Sequence, residues 1–336
     1  MEIEVPNLIA TYALDFCKEI YEIEYDDSGD VRFDFSKVRT CNPFPMLIVS
    51  NEIRNKVQRL KNKGRNCYAR NCNNDYANTM KFYSACGLEK GGSVDIEQGN
   101  NNYSSITKLS VKKLRQEGIE KRDVIQEVIE KKAKEMAVIV ARNNKNFEKW
   151  LAYTIRELIR NIPEHSKSDT IWYCAQYWGN YDLVELAIMD EGIGIKESLK
   201  ENINYKDEIN TDKDAILLAL EPGVSGKNID NRDSFSQGEW ENSGYGLYII
   251  SEMCAELGAN FIIASGDSAI EVRKKNGKII RETKQTKIHG TAIQIRIKPS
   301  ESEDYDKIRN RIVDKGENKA GKSKSAIRTA SKSSRG

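Results

Sequence analysis

Histidine is nearly missing from this chain, with only His165 and His289 in 336 residues. The seven cysteines are irregularly spaced, and only Cys67 and Cys72 lie close together, so a zinc ligand set is hard to assemble. An odd cysteine count also argues against a disulfide framework and for reduced thiols in a cytoplasm. No apolar run approaches the roughly 18 residues that a membrane span requires. The opening MEIEVPNLIATY lacks a basic stretch ahead of an apolar one, so neither a membrane anchor nor a secretory signal is expected. Nor does one sign of charge dominate. Lys and Arg number 53 against 51 Asp and Glu, and a net charge of +2 favours no nucleic-acid partner by itself.

The chain that remains is polar, 39% apolar and 31% charged, and long enough for two or three domains. Residues 1–95 alternate between strand-like and helix-like segments. Val31–Phe35 alternates like a strand, while Met46–Leu60 and Asn74–Cys86 read as helices, the latter stopping at Gly87. A small α/β domain is expected there. Gly91–Asn102 is a polar, glycine- and asparagine-rich boundary, and residues 96–145 read as a connecting segment with a helix over Asp123–Ala141.

From 146 to 300 a second domain is expected. Phe147–Ile162 carries Phe147, Trp150, Leu151, Ile155, Leu158, Ile159 and Ile162 on one helical stripe. A strand over Asp182–Met189 is followed by a long glycine- and Asp/Asn-studded stretch to Ser243 and a helix over Tyr245–Leu257. Strands then read at Asn260–Ala264, Glu271–Lys274 and Thr291–Lys298. Residues 301–336 are rich in Lys, Ser and Gly towards their end, and a disordered, solvated basic tail is expected there, with contact to nucleic acid or an acidic partner as the weaker alternative. This tail contains a literal phosphate-loop pattern, Gly316-x4-Gly321-Lys322-Ser323. It lacks the preceding strand and following helix that such a loop needs, and is read as a coincidence of composition.

Three pieces of the second domain carry chemistry. On the amphipathic helix, Glu157 and Asn161 are four residues apart and share a face. An amide oxygen suits Mg2+, and a carboxylate one turn away can take a proton from an attacking water or hydroxyl. At the end of the strand stands Asp190-Glu191-Gly192-Ile193-Gly194. There an acceptor-only carboxylate selects the amine of adenine over the carbonyl of guanine, and glycines let backbone approach a ligand. Third, Asn242-Ser243-Gly244-Tyr245-Gly246-Leu247 opens a helix whose free N–H groups and dipole suit phosphate. Taken singly, each has an ordinary reading as surface, strand exit or helix start.

In this order, and with Gly290-Thr291 in a final strand, the pieces resemble the GHKL superfamily. DNA gyrase B, the large heat-shock chaperone ATPases, MutL and histidine kinases belong to it. The resemblance implies an α+β two-layer sandwich, the Bergerat fold, binding ATP and Mg2+. It implies Glu157 as general base, Asn161 as the Mg2+ ligand, and Asp190 as adenine anchor with Gly192 and Gly194 shaping its loop. Ser243, Gly244, Tyr245, Gly246 and Leu247 form the second glycine box, and Thr291 joins Asp190 at the adenine amine. Lys196–Asn242 becomes the ATP lid, in which Ser225, Gly226 and Lys227 contact nucleotide and Lys227 reaches the γ-phosphate. One departure is Ile162-Pro163 directly after Asn161, which predicts that the helix kinks or ends near Ile162. His165, four residues after Asn161, matches the anti-sigma-factor serine kinases of this superfamily; it is read as either contacting nucleotide or packing, with packing favoured.

In the first domain, Phe33-Asp34-Phe35-Ser36-x-Val38 and Phe82-Tyr83-x3-Gly87-Leu88 are similar to STAS domains. Where that family carries a phosphoacceptor, this chain has Asn42-Pro43-Phe44-Pro45, so the resemblance implies binding rather than receipt of phosphate. The expected function is an ATPase that uses lid closure as a conformational switch in regulation, with a separate protein partner and room for a homodimer. The alternative is a kinase acting on such a partner. An autophosphorylating histidine kinase is disfavoured, because both histidines fall inside the nucleotide region.

Overall fold

The computed structural model describes residues 1–23, 29–88, 93–95, 99–227, 243–299, 304–323, 325–331 and 334. The first unit contains β1 (Glu2–Glu4), α1 (Ala10–Glu22), β2 (Val31–Asp34), α2 (Pro43–Asn62) and β3 (Cys67–Arg70), with short helices α3 (Asp75–Thr79) and α4 (Phe82–Ala85). Its three strands are parallel in the order β1-β2-β3. The second unit runs β4 (Gly99–Asn100), β5 (Tyr103–Ser110), α5 (Val111–Lys121), α6 (Ile125–Ala141), α7 (Lys145–Asn161), β6 (Thr170–Trp178) and β7 (Leu183–Asp190). It continues through α8 (Gly194–Lys200), α9 (Asp212–Ala219), α10 (Gly246–Glu256), β8 (Asn260–Lys275), β9 (Lys278–Ile297) and α11 (Tyr305–Ala320). Its six strands form one antiparallel sheet in the order β4-β5-β6-β7-β9-β8. The chain is therefore of the α/β class, with one parallel and one antiparallel sheet. No helix among the described residues is long and apolar enough to cross a membrane.

Both faces of the larger sheet are buried, and strand alternation sorts their residues. Val184, Leu186 and Ile188 of β7, with Ile171 and Tyr173 of β6 and Ile293 and Ile295 of β9, pack against α6, α7 and α10. Their neighbours Ala187, Met189, Trp172, Cys174 and Ala292 point the other way and join a core with α1, α2 and the small parallel sheet. The six-stranded sheet is thus a middle layer between two sets of helices.

The amphipathic stripe produces α7 as expected. Its side chains Phe147 and Trp150 meet Tyr305, with Trp150 and Tyr305 stacked at 5.6 Å between ring centroids. At Ile162-Pro163 the α-helix stops and a π-helical turn, Ile162–Ser166, replaces it. Proline lacks the N–H that a further α-helical turn would use.

Several expectations are corrected. Residues 96–145 do more than connect, since β4 and β5 are strands of the large sheet. The helix read over Asn74–Cys86 is two short helices parted at Lys81, whose φ of 58° no α-helix accepts. Three short strands read after Ala259 are two long ones, β8 and β9, paired along an extended ribbon. The tail expected to be disordered contains α11. Tyr305, Ile312, Val313 and Ala320 of this helix are buried in the main core, as is Ala326 beyond it. Charged residues on its other face mask this stripe in the sequence.

Candidate functional site

Between the helix-facing side of the sheet and the helices α7, α8 and α10 lies a cavity of about 800 Å³ of empty space, counting its open mouth. The β7–β9 register sets one wall by pairing Asp190 directly with Thr291. Both follow the alternation of Ile188 and Ile293 and so face the helices. The turn after Asp190 depends on glycine. A Cβ on Gly192 would stand 2.0 Å from the Ser166 carbonyl oxygen, and Gly194 has a φ of 79°. The Ile193 N–H donates to that same Ser166 carbonyl at 2.9 Å, tying the turn to the end of α7.

Asp190 is only 5% exposed. Its Oδ1 accepts the Gly192 N–H at 2.7 Å. Burial pushes its carboxyl up to about 7, against hydrogen bonds from the Gly192 N–H, the Ser166 hydroxyl and the Thr291 N–H that favour the anion. Glu191 next door behaves oppositely. Burial would raise it, but the Arg54 guanidinium, 2.7 Å from its Oε1, and the Trp172 indole N–H hold it below the usual carboxylate range.

Nine of the sequence-predicted residues line this cavity together: Asn161, Asp190, Gly194, Ser225, Gly226, Gly244, Gly246, Leu247 and Thr291. Gly244 has a φ of 70°, and a Cβ there would lie 2.4 Å from the Val224 carbonyl oxygen. The second glycine box and the 224–226 segment are therefore in direct backbone contact. Five predicted residues sit outside the lining. Gly192 is part of the Asp190 turn and packs on the Ser166 backbone. Ser243 and Tyr245 are buried against the C-terminal segment, with the Ser243 Oγ accepting the Ser331 N–H at 3.0 Å. Lys227 is half-exposed, its Nζ 3.9 Å from Glu164 Oε2. Glu157 is buried, with its Oε1 2.9 Å from Arg156 Nη2 and its Oε2 3.1 Å from Arg160 Nη2. A Cβ on Gly246 would come 3.0 Å from that Oε2, so Gly246, which lines the cavity, packs directly against Glu157. Of the segment read as a lid, residues 228–242 lie outside the described residues, including Asn242.

His165 lines the cavity, and burial together with the Lys227 and Arg160 charges lowers it to about 4, leaving a neutral imidazole. Asn161 opens onto the same space at the last α-helical position of α7. Among the described residues no three His, Cys, Asp or Glu side chains gather as a metal cage.

Sequence reasoning missed the supports. Ser166 braces the Asp190 turn, and Ser265 accepts the Ile195 N–H at 3.0 Å while donating to the Gly290 carbonyl at 2.8 Å. From the first unit, α2 grips the turn through Arg54 and the facing strand β9 through Glu52. Arg54 lies over the Trp172 ring at 4.0 Å while it pairs with Glu191, and Glu52 accepts the His289 N–H at 3.1 Å. No short-range pattern signals contacts spanning 137 and 237 positions. Compared with known proteins, the chain matches no family model and no curated protein.

Proposed function

We propose that this cavity binds ATP with Mg2+, as in the GHKL proteins that the motifs resemble, and that the chain is an ATPase using nucleotide-driven closure as a regulatory switch. The carrying observation is the cross-strand pair Asp190–Thr291 on a glycine-built turn, at the wall of a cavity whose far side is the second glycine box. A buried carboxylate beside a threonine hydroxyl suits the exocyclic amine of adenine. The apolar side chains of Ile188, Leu158 and Leu247 around it suit the faces of a purine. Gly244 and Gly246 at the start of α10 offer backbone N–H groups and the positive helix end to phosphates. The residues fit a magnesium ion carried mainly by phosphate oxygens, with the Asn161 amide oxygen as its protein donor. Such an ion would neutralise the phosphates and polarise the γ-phosphoryl group.

Hydrolysis in this reading asks Glu157 to exchange its two arginines for a water. Incoming phosphates compete for those guanidiniums and so favour the exchange. The closed Arg156–Glu157–Arg160 cluster is also the observation that favours the second reading, a kinase in which a partner's hydroxyl replaces the water. The first unit, STAS-like in its motifs, is then the surface for that partner. Its helix α2 begins at Asn42-Pro43, where the family's phosphoacceptor would stand.

Titration calorimetry with Mg-ATP checks the core of the proposal. Binding is expected in the natural protein, with affinity weakened about a hundredfold in Asp190→Ala, on the scale of a hydrogen bond to a buried charged group. Equal affinity in the variant removes the anchor assignment. With γ-labelled ATP, label released as free phosphate supports the ATPase, and label on an added protein supports the kinase. Glu157→Gln is expected to lower turnover at least about a hundredfold while nucleotide still binds. An unchanged rate excludes Glu157 as the base.

A further inference from the structure

The sequence suggests a loose basic tail, yet its main chain is fastened to the phosphate side of the cavity. The Ile327 N–H donates to the Gly223 carbonyl at 2.8 Å, just before the Val224–Gly226 wall. The Tyr245 hydroxyl, buried in the second glycine box, donates to the Ile327 and Arg328 carbonyls at 3.1 and 3.0 Å. The Ser331 N–H donates to Ser243 Oγ at 3.0 Å. A fifth bond runs from the Tyr205 hydroxyl to the Ser325 carbonyl at 2.8 Å, and Tyr205 belongs to a small separate core with Leu199, Ala215, Ala219 and Val224. The fit is close as well. A Cβ on Gly223 would lie 2.2 Å from the Ile327 carbonyl oxygen.

We propose that residues 325–331 form a detachable strap. By tying the 199–226 segment to the second glycine box, it holds the two phosphate-side walls together, and its release sets the rate of nucleotide exchange. This rests on the ATP-site reading for the identity of the ligand, though not for the mechanical coupling.

Two properties suit this segment to reversible attachment. Its hold consists chiefly of main-chain hydrogen bonds to a few side chains, each of modest net strength. Among its described side chains, two small ones serve the main core, Ala326 within it and the partly buried Ala330 packed against it. It is also anchored at one end, because α11 is packed against α7 and α10. There Tyr305 stacks on Trp150, and the Tyr248 hydroxyl donates to the Ile312 carbonyl at 3.4 Å. A released strap therefore stays tethered at a high local concentration and can rebind. The Ala330 N–H to Glu317 Oε1 bond, 2.9 Å, folds the strap back onto its own helix. Within the strap Arg328 carries a positive charge, and neighbouring Lys and Arg residues in the sequence suit capture by an acidic partner.

The test uses the full-length chain with Ile327→Pro and Ser331→Pro combined, which removes the two strap N–H donors that reach the cavity walls and leaves the cavity residues untouched. Two readouts are followed: amide hydrogen exchange of residues 199–226 and 243–250 without nucleotide, and dissociation of a fluorescent ATP analogue by stopped flow. Exchange in both segments and analogue dissociation are each expected to accelerate about tenfold. Tyr205→Phe, which loses one strap bond and keeps the ring, is expected to shift both readouts the same way by about threefold, and it decides the matter if the proline variant does not fold. Unaltered exchange in both segments of a folded variant overturns the strap. If the natural protein binds no analogue while exchange accelerates in the variant, the strap stands and the ATP reading falls.

Discussion

Asp190 shows how one buried side chain can make stability depend on pH. Its carboxyl titrates near 7 in the folded protein against an ordinary 3.8, so between about pH 4 and 7 the folded chain holds a proton that the unfolded chain has lost. The contribution of this group is therefore complete below pH 4 and declines as pH rises through 7, by at most about 4 kcal/mol. Denaturant unfolding of the ligand-free protein and of Asp190→Asn across that range should give a difference curve that falls with pH in the natural protein. A flat difference would mean that Asp190 stays ionised. His165 acts in the opposite sense, since its lowered value makes stability rise between about pH 4 and 6.5, and taking the difference removes it. At this scale the sequence was informative where chemistry is local. An aspartate at a strand exit followed by G-x-G can be read without a fold. The closed pairing of Glu157 with Arg156 and Arg160 could not, because an E-x3-N spacing leaves the rotamers of the flanking arginines undetermined.

Elements were legible in proportion to the contrast of their apolar stripes. The stripe of α7 runs from Phe147 to Ile162, and its observed bounds Lys145–Asn161 fall within two residues of those read. The proline that ends it was equally visible, although the π-helical turn that follows is a tertiary outcome. There, Ser166 is drawn down to brace the Asp190 turn. In contrast, α11 spreads Tyr305, Ile312 and Val313 among charges, and its apolar side becomes evident only once Trp150 and Phe147 are in position to receive it. That dependence is testable. Trp150→Ala is expected to destabilise the protein by about 3–5 kcal/mol, as for other large-to-small core changes. It should also expose α11 to limited proteolysis before the rest of the chain. Resistance of α11 in that variant would show that the helix is held by contacts other than the aromatic stack.

Across the whole molecule, the six-stranded sheet belongs to two cores at once, and the unit read as a separate N-terminal domain supplies one of them. Trp172, Cys174, Met189 and Ala264 would face water if α1 and α2 were removed. Differential scanning calorimetry is accordingly expected to give a single endotherm, with both units melting together. Two resolved transitions would show that the first unit is an independent domain. Segmentation of the chain could not reveal this, because alternating strands with both faces apolar look alike whether the second cover comes from the same domain or another. The grip of α2 on both sides of the Asp190–Thr291 pair, through Arg54 on the turn at Glu191 and Glu52 on β9 at His289, extends the point. Under the proposed reading, in which the first unit receives a partner, reciprocity requires that a nucleotide altering partner binding through this helix has its own affinity altered by the partner by the same factor. Signal and sensor are then interchangeable names for the two ends of a single helix.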